Sequence, residues 1–351
     1  MIKRLHITAI IMLSAVAIFA QNTQNLTIVF YNVENFFDTI NNPNTNDKEF
    51  TPKGKKRWTS QKYYQKLANT ERVFADIADA NGDFPTVIGL SEVETRSVLE
   101  DIISTKSMAA ANYKIVHYDS PDERGIDVAL LIRPDQFNVE GSNPVTTIIP
   151  DQPNFTTRDI LTVWGKIEEQ DFFFMVAHWP SRWGGTDQSE YLRLSCATQM
   201  RQIVDSVSAI RPDTKFILMG DLNDDPNDKS ITDGLKAKNN IEKLAKGDLY
   251  NPFYDMLMAG YGTLAYDDIW NIFDNIIISE NLINAPSEEL KLQKSIYNSQ
   301  FCANIFKPTY LIQQEGRFKG YPFRSFSGNK WSGGYSDHLP VFININCEAR
   351  H

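Results

Sequence analysis

Cysteine is scarce in this chain: three residues in 351, at Cys196, Cys302 and Cys347, with no two close together in sequence. A thiolate metal site needs ligands in tight spacing, so none is expected. In an oxidising compartment one disulfide is expected, Cys302–Cys347, since both residues flank the last motif of the chain. Cys196 falls inside a helical pattern and reads as a buried thiol. Positive charge is also short. Lys and Arg number 35 against 44 Asp and Glu, a formal net charge of −9. That argues against a general nucleic-acid coat protein, because neutralising phosphates takes Lys and Arg. It does not exclude an enzyme acting on phosphates, where carboxylates hold a metal and only a local basic rim faces the substrate. Internal repeats, low-complexity tracts and interdomain linkers are lacking as well. Past the first 20 residues no apolar run approaches the roughly 20 residues that a membrane span needs.

Those first residues stand apart. Lys3 and Arg4 precede an apolar run from Ile7 to Phe19, and Ala20 comes just before the polar Gln21-Asn22-Thr23-Gln24. Basic start, short apolar run and small-residue boundary are the marks of a secretory signal peptide. No cysteine follows the run to take a lipid. The expectation is residues 1–20 as signal peptide, residues 21–351 as a single domain, and export to the periplasm or the exterior. A domain of that length is long for one core and suits two packed sheets.

Six short apolar runs each border a polar, chemically equipped cluster. They are Leu26–Tyr31 before Asn32, Thr86–Leu90 before Glu92, Phe172–Ala177 before His178, Phe216–Met219 before Gly220-Asp221, Phe273–Ile278 around Asp274, and Leu339–Ile345 after Asp337-His338. Runs of this kind predict strands buried on both faces. Helical periodicity predicts helices near Ser60–Ala80, Val98–Ala110 and Gln188–Ala209. Strands alternating with helices make an α/β fold, with functional groups at strand ends along one edge. From Ile283 to Gly334 periodicity fades, and long loops with one or two short strands are expected.

Hydrolysis of a phosphate ester needs oxygen ligands for a metal, an activated water, donors for charge developing on phosphorus and an acid for the leaving oxygen. Glu92 suits a hard cation such as Mg²⁺; Glu94 is its rival, because residues two apart on a strand share a face. Asn32 can donate to a phosphate oxygen or hold a metal-bound water. Asp221 can align or deprotonate water, Asn223 can donate to phosphoryl oxygen, and Gly220 lets the backbone approach closely. His178 ends the most apolar run and titrates near neutrality, and Arg182 follows within reach of phosphate. His338 needs a carboxylate partner to set its tautomer, and Asp274 is the choice, leaving Asp337 for the metal.

In this order the segments resemble the endonuclease/exonuclease/phosphatase superfamily, with Gly220-Asp221-Leu222-Asn223 and Ser336-Asp337-His338-Leu339-Pro340 as the most specific parts. The resemblance implies a four-layer sandwich, two mostly antiparallel β-sheets packed face to face with helices on the outer sides. It implies Asn32, Glu92 and Asp337 near a Mg²⁺ ion, with Mn²⁺ or Ca²⁺ as alternatives. Asp221 and Asn223 would lie at phosphate and water, and an Asp274–His338 pair would face His178. His338 would act as base or oxyanion donor and His178 as acid, or the reverse. A histidine at position 178 is unlike the repair-type branch of the family and like its deoxyribonuclease, sphingomyelinase and inositol-phosphatase branches. Arg124 is a candidate phosphate ligand, with Asp127 as the alternative. The expected enzyme is a monomeric phosphoesterase, foremost a nuclease acting on DNA or RNA, with a small or lipid phosphoester as the competing substrate. Two groups of basic residues interleaved with aromatics support the nuclease: Lys53 to Lys66 around Trp58, Tyr63 and Tyr64, and Arg317 to Lys330 around Phe318, Tyr321, Phe323 and Trp331.

Overall fold

The computed structural model describes residues 25–150 and 152–347. The expected signal peptide lies outside the described residues. Ten strands of four residues or more carry the architecture: β1 (Leu26–Phe36), β2 (Val87–Val93), β3 (Lys114–His117), β4 (Asp127–Ile132), β5 (Asn138–Val145), β6 (Ile160–Ile167), β7 (Gln170–His178), β8 (Lys215–Asp221), β9 (Asp274–Ser279) and β10 (Val341–Asn346). The long helices are α1 (Ser60–Asn81), α2 (Arg96–Ser104) and α3 (Thr186–Ile210). One sheet runs Lys291–Leu292, β10, β1, β2, β4, β3, and Asn304–Ile305 also pairs with β10. The other runs β5, β6, β7, β8, β9, then the two-residue strands at Leu249–Tyr250 and Ala237–Lys238. Both sheets are mixed. Their main strands pair antiparallel except β1 with β2 and β7 with β8.

Alternation along the strands shows why the runs are apolar on both faces. On β8, Ile217 and Met219 join the large core between the sheets, while Phe216 and Leu218 join a second core under α3. The same split divides Phe174 and Val176 from Phe173 and Met175 on β7. α3 closes the second core with Cys196, Ala197, Met200 and Val204, and α1 covers the other sheet with Val73, Phe74 and Ile77. The layers are therefore helix, sheet, sheet, helix. Gly89 on β2 faces Met219, whose sulfur occupies the space a Cβ would need, so the sheets approach closely at that point.

Three details differ from expectation. The helix expected over Val98–Ala110 stops at Ser104 and resumes as a 3-10 turn at Met108–Ala111. The strands β3 to β6 were not among the six expected runs: β5 is half exposed and β3 is short, although β4 carries the apolar run Val128–Ile132. All three cysteines are free, correcting the expected Cys302–Cys347 disulfide. The Asn304↔Phe342 antiparallel register, extended two residues, brings Cys302 level with Asn344, short of Cys347.

Gly220 sits where β7 and β8 run parallel, and a Cβ there would overlap the carbonyl oxygen of Ala177. Backbone cannot yield as a side chain tip can. Gly220→Ala is expected to lower unfolding free energy by about 1–3 kcal/mol, read as a reduced urea midpoint; an unchanged midpoint would contradict the close approach.

Candidate active site

Register alone assembles the centre of the site. His178 ends β7 and pairs with Asp221, which ends β8 and pairs with Asp274, which begins β9. Each has the parity of the residues facing the other sheet (Val176, Met219, Ile276), so the three side chains form one row on the inter-sheet face. From the opposite sheet Asn32 of β1 reaches across, its Nδ2 donating to Asp221 Oδ2 at 2.9 Å. The Asn32 carbonyl accepts from Ser336 Oγ at 2.7 Å, and Ser336 Oγ accepts from the His338 backbone N–H at 3.1 Å. The last motif is thereby clamped to β1.

Asp221 is the hub. Its Oδ2 lies 3.5 Å from His178 Nε2 and 3.7 Å from His338 Nε2. Asp274 Oδ2 holds His338 Nδ1 at 2.7 Å from behind. Burial opposes charging of both rings, but their neighbours differ. The carboxylates of Asp274 and Asp221 overcome burial and raise His338 well above the usual imidazole range. His178 is pushed well below it by burial, then by the charges of Arg158, Arg124 and His338. One ring holds its proton and the other is neutral. Divergent proton affinities of this kind separate donor from acceptor.

A bulge separates Glu92 from Glu94. Pairing of β2 with β4 shifts register between Ser91 and Val93, and Glu92 takes φ 63°, a left-handed value that costs a non-glycine residue. Two residues that would share a face in a regular strand are thus separated. Glu92 Oε1 lies 4.0 Å from His178 Nε2, and its Oε2 accepts from the Asn35 N–H at 2.7 Å. Glu94 instead accepts from the Asp38 N–H at 2.7 Å, away from the histidines.

Burial pushes the Asp221 carboxyl up to about 6; Asp274 and Glu92 add to the push, while His338 and Asn32 oppose it. Asp221, Asp274 and His338 offer ligand atoms within 4.8 Å of one another. A concentration of carboxylate charge, with oxygen donors at Glu92, Asp221 and Asn32, fits a hard divalent cation.

Other expected site residues are placed differently. Asp337, expected near the metal, is one-third exposed and bound to Arg324 Nη2 at 2.6 Å. Arg182 does not present a free guanidinium to phosphate. It is engaged by Asp228 at 2.7 Å, Asp224 at 3.1 Å and Asp225 at 3.6 Å, and lies over the Phe273 ring. Asn223 spends one amide N–H on the Trp179 carbonyl at 3.0 Å and receives no strand pairing, with φ 51°. Arg124 is a little under half exposed, tied only loosely to Asp122 at 3.7 Å, and its charge reaches His178. Asp127 turns away into the β3–β4 hairpin, against His117.

Two cations were missed. Arg158, buried just before β6, donates to the carbonyls of His178 at 3.0 Å and Trp179 at 2.7 Å and pairs with Asp122 at 3.1 Å. It fixes the end of β7. Only a basic residue next to a strand hinted at it. Lys66, read as part of a basic surface, is buried, with Nζ donating to Ser325 Oγ at 2.6 Å. Trp58 and Tyr63 are buried too, which leaves Lys53, Lys55, Arg57 and Tyr64 as the exposed members of that first basic group.

The family model for the endonuclease/exonuclease/phosphatase family matches residues 27–347. The chain belongs to that family. It is therefore a phosphoesterase of a divalent-metal-dependent class. No curated protein sequence matches it significantly. Solved structures share the fold at low identity. Zebrafish (D. rerio) TDP2 complexed with a single-strand DNA product is 15% identical, covering 92% of this chain and 99% of its own at TM-score 0.52. A Bacteroides thetaiotaomicron mannosyl-6-phosphatase is 15% identical over 91% and 99%, at TM-score 0.54. The human Nocturnin catalytic domain with bound sulfate is 13% identical over 92% and 94%, at TM-score 0.51.

Glu94 provides a pH test of the packing beside the site. Burial raises its carboxyl to about 8, and the nearby Asp38 and Asp47 charges add to the rise. A folded-state value above the unfolded one means its contribution to stability is present at low pH and is lost as pH rises through about 8. Glu94→Gln keeps an acceptor for Asp38 and cannot ionise. Its melting temperature is expected to gain on that of the unaltered protein between pH 5 and pH 9. A gap constant with pH would contradict the assignment.

Proposed function

We propose that the protein is an exported Mg²⁺-dependent phosphodiesterase that cuts nucleic acid, working as a monomer through one domain, residues 21–351, after removal of residues 1–20. The observation that carries this reading is Asp221 flanked by two imidazoles of opposite proton affinity, at 3.5 and 3.7 Å. Mg²⁺ bound by Glu92 and Asp221, with Asn32 beside it, would supply charge to stabilise the phosphoryl oxygens. Neutral His178, with Asp221, accepts the proton of the attacking water at Nε2. His338, charged and steered by Asp274, donates from Nε2 to a phosphoryl or leaving oxygen. Arg124 draws the phosphate toward this pair.

A chain substrate is supported by what adjoins His338. A cleft of about 710 Å³ is walled by Arg317, Lys330 and the Asp337-bound Arg324, with Phe318, Tyr321 and Trp331, and also takes in the acidic Asp267 and Glu315. Cations interleaved with aromatic faces suit a phosphate backbone with stacked bases. The segment expected as irregular loops forms this wall, braced by the ribbon Phe326–Ser327 with Lys330–Trp331.

His178→Ala and His338→Ala are each expected to reduce kcat on bis-p-nitrophenyl phosphate by about 10²–10⁴, with EDTA abolishing activity and Mg²⁺ restoring it. On a panel of plasmid DNA, RNA, sphingomyelin, inositol phosphates and sugar phosphates, cleavage of the nucleic acids is expected. Hydrolysis confined to the sugar, inositol or lipid esters would overturn the nucleic-acid reading and leave a phosphatase or lipid phosphodiesterase. Lys330→Ala is expected to make the log–log salt slope of single-strand DNA affinity shallower by about 0.7; an unchanged slope would place the DNA elsewhere.

A further inference from the structure

The hairpin of β3 and β4 holds a cluster that phosphoester chemistry leaves unused. His117 ends β3, Asp127 begins β4, and Asp119 lies in the loop between them. One ligand atom from each falls within 4.8 Å of the others. The His117 side chain is only 3% exposed, and its Nε2 has no hydrogen-bond partner. That nitrogen faces Asp127 Oδ2 at 3.6 Å, too far for a hydrogen bond. Asp127 Oδ1 is already committed to the Ser120 N–H at 2.9 Å, so Oδ2 is the oxygen left facing the ring.

Charge in this corner is one-sided. Among the described residues His117 is the only basic group at ion-pair distance from Asp127. Asp159 lies close enough for Asp127 to raise its carboxyl, after burial, and its Oδ1 is buried without a partner. Tyr118, Ser120, Asp127 and Asp159 border a void of about 10 Å³, the size that holds a single water. A buried ring nitrogen and a buried carboxylate facing each other without a bond cost free energy that one cation between them removes.

We propose that His117, Asp119 and Asp127 form a second metal site, separate from the catalytic centre, that takes a zinc-class divalent ion. One imidazole and two carboxylates, with a water to complete four ligands, is a donor set that zinc accepts. Mg²⁺ prefers oxygen alone, so the two sites sort two cations by donor chemistry. The ion would join the exposed loop to a buried strand end. Between the ligands the chain carries Asp122 and Arg124, and Asp122 holds the Arg158 that fixes the end of β7. The metal is therefore a brace for the loop that flanks His178, and its presence does not depend on which phosphoester is cut.

The test is isothermal titration of EDTA-stripped full-length protein with ZnCl₂ in excess MgCl₂, using a Glu92→Gln background to weaken the catalytic centre. One bound equivalent is expected, lost in His117→Ala and weakened in Asp119→Asn. Asp119 is exposed, so its variant keeps the test open if His117→Ala fails to fold. Anomalous scattering at the zinc edge is expected to give a peak between His117 and Asp127. Zinc binding unchanged by both substitutions, or no equivalent bound before substitution, overturns the proposal.

Discussion

Asp221 carries a carboxylate into the space between two sheets, and the active end of the molecule is arranged to make that tolerable. An isolated buried charge costs several kcal/mol. Here Asn32 donates from one sheet, and His178 and His338 approach from either side. His338 and Asn32 steady the carboxylate, and Asp274 with Asp221 keeps His338 charged, whereas burial and the Arg158 and Arg124 charges keep His178 neutral. Fold stability and acid–base chemistry meet in these interactions. They require the sheets to meet closely, which Gly89 permits by lacking a side chain.

Charge elsewhere is spent largely on architecture. Arg193 is fully buried against Asp224, and Arg182 is surrounded by three aspartates of the Asp224–Asp228 turn. Arg158 fastens the end of β7, and Lys66 joins α1 to the loop before His338. Each is a cation that could have met a phosphate and instead holds the backbone carrying a functional side chain. Removing one partner of such a pair leaves a buried charge uncompensated, a more severe change than trimming an exposed pair. Arg124, Arg317 and Lys330, by contrast, are exposed.

Much of this was legible in sequence, for a physical reason. Strands buried on both faces read as unbroken apolar runs, so β1, β2, β7, β8, β9 and β10 announced themselves, and the polar residues at their ends marked an edge. The pairing of His338 with Asp274 could be anticipated because a buried imidazole needs a carboxylate or carbonyl to set its tautomer. What sequence could not show was direction and partner. A bulge separates Glu92 from Glu94, and nothing in Ser-Glu-Val-Glu reveals a left-handed residue. Nor does the sequence show that Asp337 pairs with Arg324, or Arg182 with the aspartates of the Asp224–Asp228 turn. Exposed β5 and short β3 lack the apolar run that betrays a strand, and the Cys302–Cys347 disulfide failed on register.

The asymmetry of the two imidazoles around Asp221 is the central claim, and ring-nitrogen NMR of the ¹⁵N-histidine-labelled protein in EDTA reads it directly. The His178 signal is expected to keep neutral-ring shifts down through pH 6, while His338 keeps imidazolium shifts above pH 7 with a proton on Nδ1 toward Asp274. Titration of both rings together near the ordinary histidine value, or His178 charged while His338 is neutral, would contradict it.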